Sequence, residues 1–137
     1  MSIVLDASMT LTWLFEDERT PAAYDVMMRV VDEGAVVPSL WRLEVANTLR
    51  TAIRRGRCDE DFVTKTLVQL SRMMIKVDEE TDQHAWSSTR ALSSEEGLTL
   101  YDAAYLELAL RAALPLATCD RELIAAAERR SMDVLSA

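Results

Sequence analysis

Three glycines and three prolines in 137 residues leave few points where the chain can break or turn sharply, and no low-complexity run or repeat interrupts it. That scarcity argues against a disordered chain and against a solenoid. Cysteine is equally sparse: Cys58 and Cys119 lie far apart in no metal-motif spacing and read as reduced thiols without a role. The single histidine, His84, reads as a surface residue and has no serine–histidine partnership to enter, while the scattered glycines form no phosphate loop. No apolar run reaches the roughly 18 residues of a membrane span, and Met1 to Asp6 carries no basic residue. Neither export nor membrane insertion is expected, and the expected location is the cytoplasm. Basic charge is also short: 15 lysines and arginines stand against 23 acids, for a net charge of −8. Such a balance argues against a broad, sequence-independent grip on nucleic acid. It leaves room for a nuclease whose acids are offset by a bound cation.

What the sequence does contain is apolar patterning, with half its residues hydrophobic, in a length suited to one domain over 1–137. Ile3 to Leu5 is a short β-branched run ended by Asp6, the signature of a buried strand. Thr20-Pro21 starts a helix with its stripe at Tyr24, Met27, Met28 and Val31, and Gly34 closes it. Ala35 to Val37 is a second strand. Ser39 is expected to cap a helix running to about Arg55, and Asp59 to open another. Further strands are expected at Met74–Val77, Leu114–Ala117 and Met132–Leu135, with helices at Glu79–Leu92, Leu100–Ala113 and Arg121–Arg130. Strands alternating with helices imply a three-layer α/β/α sandwich around a mostly parallel sheet. In such sheets, ligands gather at the C-terminal strand ends.

Four acids stand at the edges of these apolar runs. Asp102 is the most conspicuous, because Glu107 and Arg111 fall about 140° and 180° around the helix axis from it, whereas Leu106, Ala109 and Ala113 lie within about 40°. Its carboxylate is therefore expected to point into apolar surroundings, although Thr99-x-x-Asp102 also spells a capping box. Asp6 and Asp120 follow strands, where each also suits a plain cap. Glu44 shares a polar stripe with Asn47, Thr48, Thr51 and Arg55, either a cleft wall or a solvated face. Carboxylates without histidine or thiolate partners suit a hard cation, Mg2+ or Mn2+, and with it phosphate chemistry.

Four segments carry a resemblance: Ile3 to Ser8, Pro38 to Asn47, Leu100 to Tyr105 and Leu116 to Leu123. In order and spacing they resemble the PIN domain of VapC-type toxins from toxin–antitoxin modules, over nearly the whole chain. The resemblance implies an endoribonuclease in which Asp6, Glu44, Asp102 and Asp120 gather around Mg2+ or Mn2+ and an activated water cuts the phosphodiester. Ser8 and Thr118 match hydroxyl positions that support the acidic pocket. A homodimer and a VapB-type antitoxin are the implied partners beside the RNA substrate.

Arg50, Arg54, Arg55 and Arg57 cluster at the end of the Glu44 helix, with Arg55 about 16 Å along the axis from Glu44 on nearly the same face. Arg54 and Arg55 are thus candidates for RNA phosphates, or a helix end complementing its own dipole. Trp13, Phe15 and Trp41 read as core or dimer contacts. Two other classes remain: a phosphoryl-transfer or signalling domain of similar fold, and a non-catalytic module. The first is disfavoured by Ser8 standing where a dehalogenase-like phosphatase needs a second aspartate, and by the lack of the late lysine a receiver domain needs, Lys65 and Lys76 being the only lysines.

Overall fold

The computed structural model describes residues 1–137. Five short strands, β1 (Ile3–Leu5), β2 (Ala35–Val37), β3 (Ile75–Val77), β4 (Leu116–Ala117) and β5 (Val134–Leu135), form one sheet in the order β3-β2-β1-β4-β5. Every pairing is parallel, with Ile3 opposite Ala35 and Leu5 opposite Ala117. Strands buried on both faces must be apolar throughout, and β1 is wholly inaccessible to solvent. Helices α1 (Ala7–Leu14) and α2 (Pro21–Glu33) link β1 to β2, and α3 (Trp41–Arg54) and α4 (Glu60–Ser71) link β2 to β3. The short α5 (Thr81–His84), α6 (Ser88–Glu96) and α7 (Leu100–Ala112) return the chain across the sheet to β4, and α8 (Arg121–Arg129) leads to β5. With α1 packed on α2 and α3, and α7 packed on α6, α8 and β1, the sheet is covered on both faces. No helix is long and apolar enough to cross a membrane.

Local chemistry accounts for most helix starts. Thr20, Asp59, Thr99 and Asp120 each accept a hydrogen bond from the backbone three residues on. Gly34 leaves α2 at φ +81°, where a Cβ would stand 3.1 Å from the Met74 carbonyl, so only glycine fits. Trp13, Phe15 and Trp41 are core residues, as expected.

Several boundaries differ from the sequence expectation. Helix α1 was not anticipated. Ser39 does not cap α3, which starts two residues later with Leu40 at the cap position; the Ser39 N–H donates to Thr81 Oγ1 at 3.1 Å. The single helix expected over Glu79–Leu92 is two, interrupted at Ser87, whose φ of −113° and ψ of −98° are not helical. The strands expected from Met74, Leu114 and Met132 are shorter than their apolar runs.

Helix α7 carries the largest correction. Its side bearing Glu107 and Arg111 does not face solvent: Glu107 is 4% exposed, more buried than the half-buried Asp102. Arg111 Nε donates to Glu107 at 2.7 Å, and its other nitrogens reach Asp78 at 2.6 and 3.1 Å, so an internal ion-pair network replaces water there. His84 belongs to the same network, half-buried with Nδ1 3.6 Å from Glu107, and is not a plain surface residue. Of the three apolar residues expected around Asp102, Leu106 and Ala109 are buried and Ala113 is exposed.

Candidate active site

The strand order reverses at β1, whose neighbours β2 and β4 are reached by connections running to opposite sides. At such a point the C-terminal strand ends open a crevice. Asp6 leaves β1 there and Asp120 follows β4. Helices α3 and α7 begin at the same edge, since α3 follows the end of β2 and α7 runs back to the start of β4. Glu44 and Asp102 sit in their first turns. Four helix N-termini therefore converge with one acid each: Asp6 caps α1 through Met9 N at 2.9 Å, and Asp120 caps α8 through Leu123 N at 2.9 Å. The partial positive charge of those ends favours carboxylates.

Asp6 is the most enclosed, 5% exposed. Ser8 Oγ donates to its two oxygens at 2.8 and 2.9 Å, and the Thr118 hydroxyl donates to Oδ2. Both hydroxyls also accept backbone N–H groups, Ser8 from Cys119 and Thr118 from Asp120, each at 3.0 Å, so they fasten the loop after β4 to the loop after β1. The supporting role expected of Ser8 and Thr118 thus has a concrete form in hydrogen bonds. Trp41 Nε1 donates to Thr10 Oγ1 at 3.1 Å, fixing the start of α3 against α1. The polar stripe beyond Glu44 is present, with Asn47, Thr48 and Arg55 exposed.

The electrostatics link all four acids. Burial, with the charge of Asp120 adding to it, pushes the Asp6 carboxyl up to about 6 against the pull of its donors. Burial also raises Glu44, with Asp102 contributing, and raises Asp102, with Asp120 and Glu122 contributing. None of the four forms an ion pair with lysine or arginine, although nine such contacts exist elsewhere. As the side chains stand, no three of the acids, histidine or cysteines come within reach of one ion, so the carboxylates face one another without closing a coordination sphere. The donor set nevertheless fits a hard divalent cation: oxygen-only, acidic and lacking any protein cation.

Sequence reasoning missed Tyr105, which is 2% exposed and donates through its hydroxyl to Glu44 Oε1 at 2.5 Å. Its place three residues after Asp102 on one helix face was the available signal. Burial and the Glu44 carboxylate hold its hydroxyl far above the usual tyrosine range, so it is always a donor. Glu122 was missed too. Of the basic cluster, Arg57 pairs with Asp17 and Glu18 and covers the Phe15 ring, while Arg50, Arg54 and Arg55 are exposed and form no ion pair.

A receiver domain orders its sheet 2-1-3-4-5, which this topology is not. The family model for the PIN domain matches residues 3–129. Ribonuclease VapC3 of Pyrobaculum aerophilum is 30% identical over 123 residues, 90% of this chain and 92% of that protein. The crystal structure of PAE2754, also from Pyrobaculum aerophilum, is similar with a TM-score of 0.69 and 28% identity, over 92% of this chain and 84% of its own. A chain of VapBC2 from Rickettsia felis, solved bound to a DNA fragment from their promoter, gives a TM-score of 0.61 over 100% of this chain and 99% of its own; at 14% identity it speaks for the fold alone. With nearly the whole chain matched in sequence, and the reversal of strand order falling where the acids emerge, this protein belongs to the PIN domain family.

Proposed function

We propose that this protein is a Mg2+- or Mn2+-dependent endoribonuclease acting as the toxin of a toxin–antitoxin pair, with Asp6, Glu44, Asp102 and Asp120 as its metal-holding and catalytic residues. The observation that carries the reading is the convergence of four carboxylates, three of them pushed toward neutrality by burial and mutual repulsion, with no cationic side chain among them. The likeness to Ribonuclease VapC3 supports RNA as substrate. A VapB-type antitoxin and a homodimer complete the reading, the first supported by the likeness to Ribonuclease VapC3.

A bound divalent cation supplies Lewis-acid activation of water and neutralises charge that builds on the phosphoryl oxygens. The chain's own residues prepare the ground for it. Ser8, Thr118 and Met9 N hold Asp6 in one orientation. Asp120 uses one oxygen to cap α8 and leaves the other without a protein donor. Crowded acids repel an incoming phosphodiester, and a cation held by Asp6, Glu44, Asp102 and Asp120 would offset that repulsion. Exposed Arg54 and Arg55 then hold backbone phosphates farther along the strand. The resemblance to VapC-type toxins implies hydrolysis that leaves a 5′-phosphate and a 3′-hydroxyl.

The test is cleavage of RNA by purified protein with Mn2+ or Mg2+, alongside Asp6→Asn and Asp102→Asn variants shown by circular dichroism to be folded. Cleavage by the parent alone, abolished by EDTA, is expected. Full activity in either variant or in excess chelator overturns the reading.

A further inference from the structure

Glu44 differs from the other acids in how it is held. Asp6 and Asp120 have short side chains fixed by backbone and hydroxyl donors close in the fold, whereas Glu44 projects from α3 on a longer stem with three rotatable torsions. It is half-buried, stands near enough to Asp102 to be repelled, and forms no ion pair. Nothing on its own helix restrains it: Thr48, one turn on, turns its hydroxyl back to the Glu44 carbonyl at 3.0 Å and not to the carboxylate. The one protein group that bonds the carboxylate is the Tyr105 hydroxyl, 61 positions away on α7.

Tyr105 is itself fixed. Its ring lies in the core at 2% exposure, in the run Ala103 to Ala109 that α7 buries without a break, so neither ring nor hydroxyl has freedom to follow a wandering glutamate. A rigid donor on a flexible acceptor sets the acceptor's position. Because Tyr105 lies three residues from Asp102 on α7, one helix supplies an acid of the site and the group that places a second acid brought by another helix. Oε1 takes the bond, and Oε2 has no protein donor and is left to meet a ligand.

We infer that Tyr105 is a positioning residue, whose hydroxyl holds the Glu44 carboxylate in the orientation that a divalent cation at the acidic edge requires. The inference rests on the proposed metal site. It concerns pre-organisation: without the bond, Glu44 turns outward from Asp102, and its order must be recovered when the cation binds.

Calorimetric titration with Mn2+ alone tests it on four proteins: the parent, Tyr105→Phe, Glu44→Gln and the double variant, each first shown folded by its thermal transition in EDTA. Tyr105→Phe keeps the ring and its packing. It is expected to weaken Mn2+ binding by about tenfold, as loss of a bond to a charged group does. In the Glu44→Gln background the same change should weaken binding little further, because the bond acts through the Glu44 charge. A merely structural role would show equal losses in both backgrounds. Unchanged Mn2+ binding in Tyr105→Phe, or a loss that adds in full to that of Glu44→Gln, overturns the inference while the metal site stands. A parent that binds no Mn2+ and cleaves no RNA overturns the metal site itself, and the inference with it.

Discussion

Thr118 and Asp6 lie 112 positions apart in sequence and share a hydrogen bond, the Thr118 hydroxyl donating to Asp6 Oδ2 where β1 and β4 end side by side. Thr118 is wholly buried, and its oxygen also accepts the Asp120 N–H, so one threonine ties two of the four acids together.

That enclosure has a consequence for stability. Burial raises Asp6 from its ordinary 3.8 to about 6, so the folded protein binds this proton more tightly than the unfolded chain. The stability it contributes is therefore full below 3.8 and is lost as pH rises through about 6. At 1.36 kcal/mol per pKa unit the loss is of order 3 kcal/mol. Glu44 and Asp102 shift in the same direction. In EDTA, Asp6→Asn should be more stable than the parent at pH 7.5 and should flatten the fall between pH 4 and pH 7 in urea-unfolding midpoints. Added Mn2+ should raise the parent's midpoint at pH 7.5 and leave the variant's unmoved. A variant less stable than the parent at pH 7.5 would contradict a burial cost at Asp6.

A second prediction concerns the network behind α7. Arg111 serves Glu107 and Asp78, whose side chains are 5% and 9% exposed, and its removal leaves both without their cation. Arg111→Met should cost about 3–5 kcal/mol in chemical denaturation, the range for breaking a buried pair from one side. Removing the charge of Glu107 as well, in Glu107→Gln with Arg111→Met, should recover part of that loss. If the single variant unfolds within about 1 kcal/mol of the parent, water reaches the network and the pairs are not buried in effect.

These two regions also show what the sequence could and could not reveal. Caps at Thr20, Asp59, Thr99 and Asp120 were legible because each bonds a backbone N–H within four residues. The acids were placed because a strand end and a helix start can be read locally. Ser39 was misassigned because the chain turns at 39–40 before α3 begins, with the Ser39 N–H held by Thr81, 42 positions away, which no local pattern encodes. Helix α1 escaped because Ser8, Thr10 and Thr12 alternate with apolar residues and mimic no helical stripe, although they exist to serve Asp6 and the Met9 and Asp6 carbonyls. Glu107 and Arg111 looked solvent-facing because periodicity reports charge and not whether a charge is met by another charge or by water. Tyr105 is a core residue whose terminal oxygen alone belongs to the site, which apolar spacing cannot report.

The arginines of α3 give a third prediction. Arg54 and Arg55 are exposed and form no ion pair, in a protein whose other charges are predominantly acidic. On an Asp6→Asn background that cannot cleave, changing both to glutamine should weaken single-stranded RNA binding. It should also reduce the slope of log affinity against log salt by about 0.7 for each phosphate no longer neutralised. Fluorescence anisotropy across a salt series measures both. An unchanged slope would assign these side chains to the helix end alone.

The last prediction separates two things that Asp102 does. Its backbone N–H donates to Thr99 Oγ1 at 3.1 Å, which starts α7, while its carboxylate lies in the field of Asp120 and Glu122, which with burial raises it above the ordinary range. The first contribution belongs to the backbone and survives any side chain at 102; the second belongs to the charge. Thr99→Ala should therefore lower stability by about 1 kcal/mol, the usual cost of a missing cap, and, because the Thr99 hydroxyl also stabilises the Asp102 carboxylate, change calorimetric Mn2+ binding far less than Asp102→Asn does. Asp102→Asn should do the reverse, retaining or gaining stability in EDTA because a repelled charge is gone, while losing Mn2+ binding. If Thr99→Ala also abolished Mn2+ binding, the position of the α7 start, and not the Asp102 charge alone, would set the site, and Asp102→Asn could no longer be read as a test of the ligand.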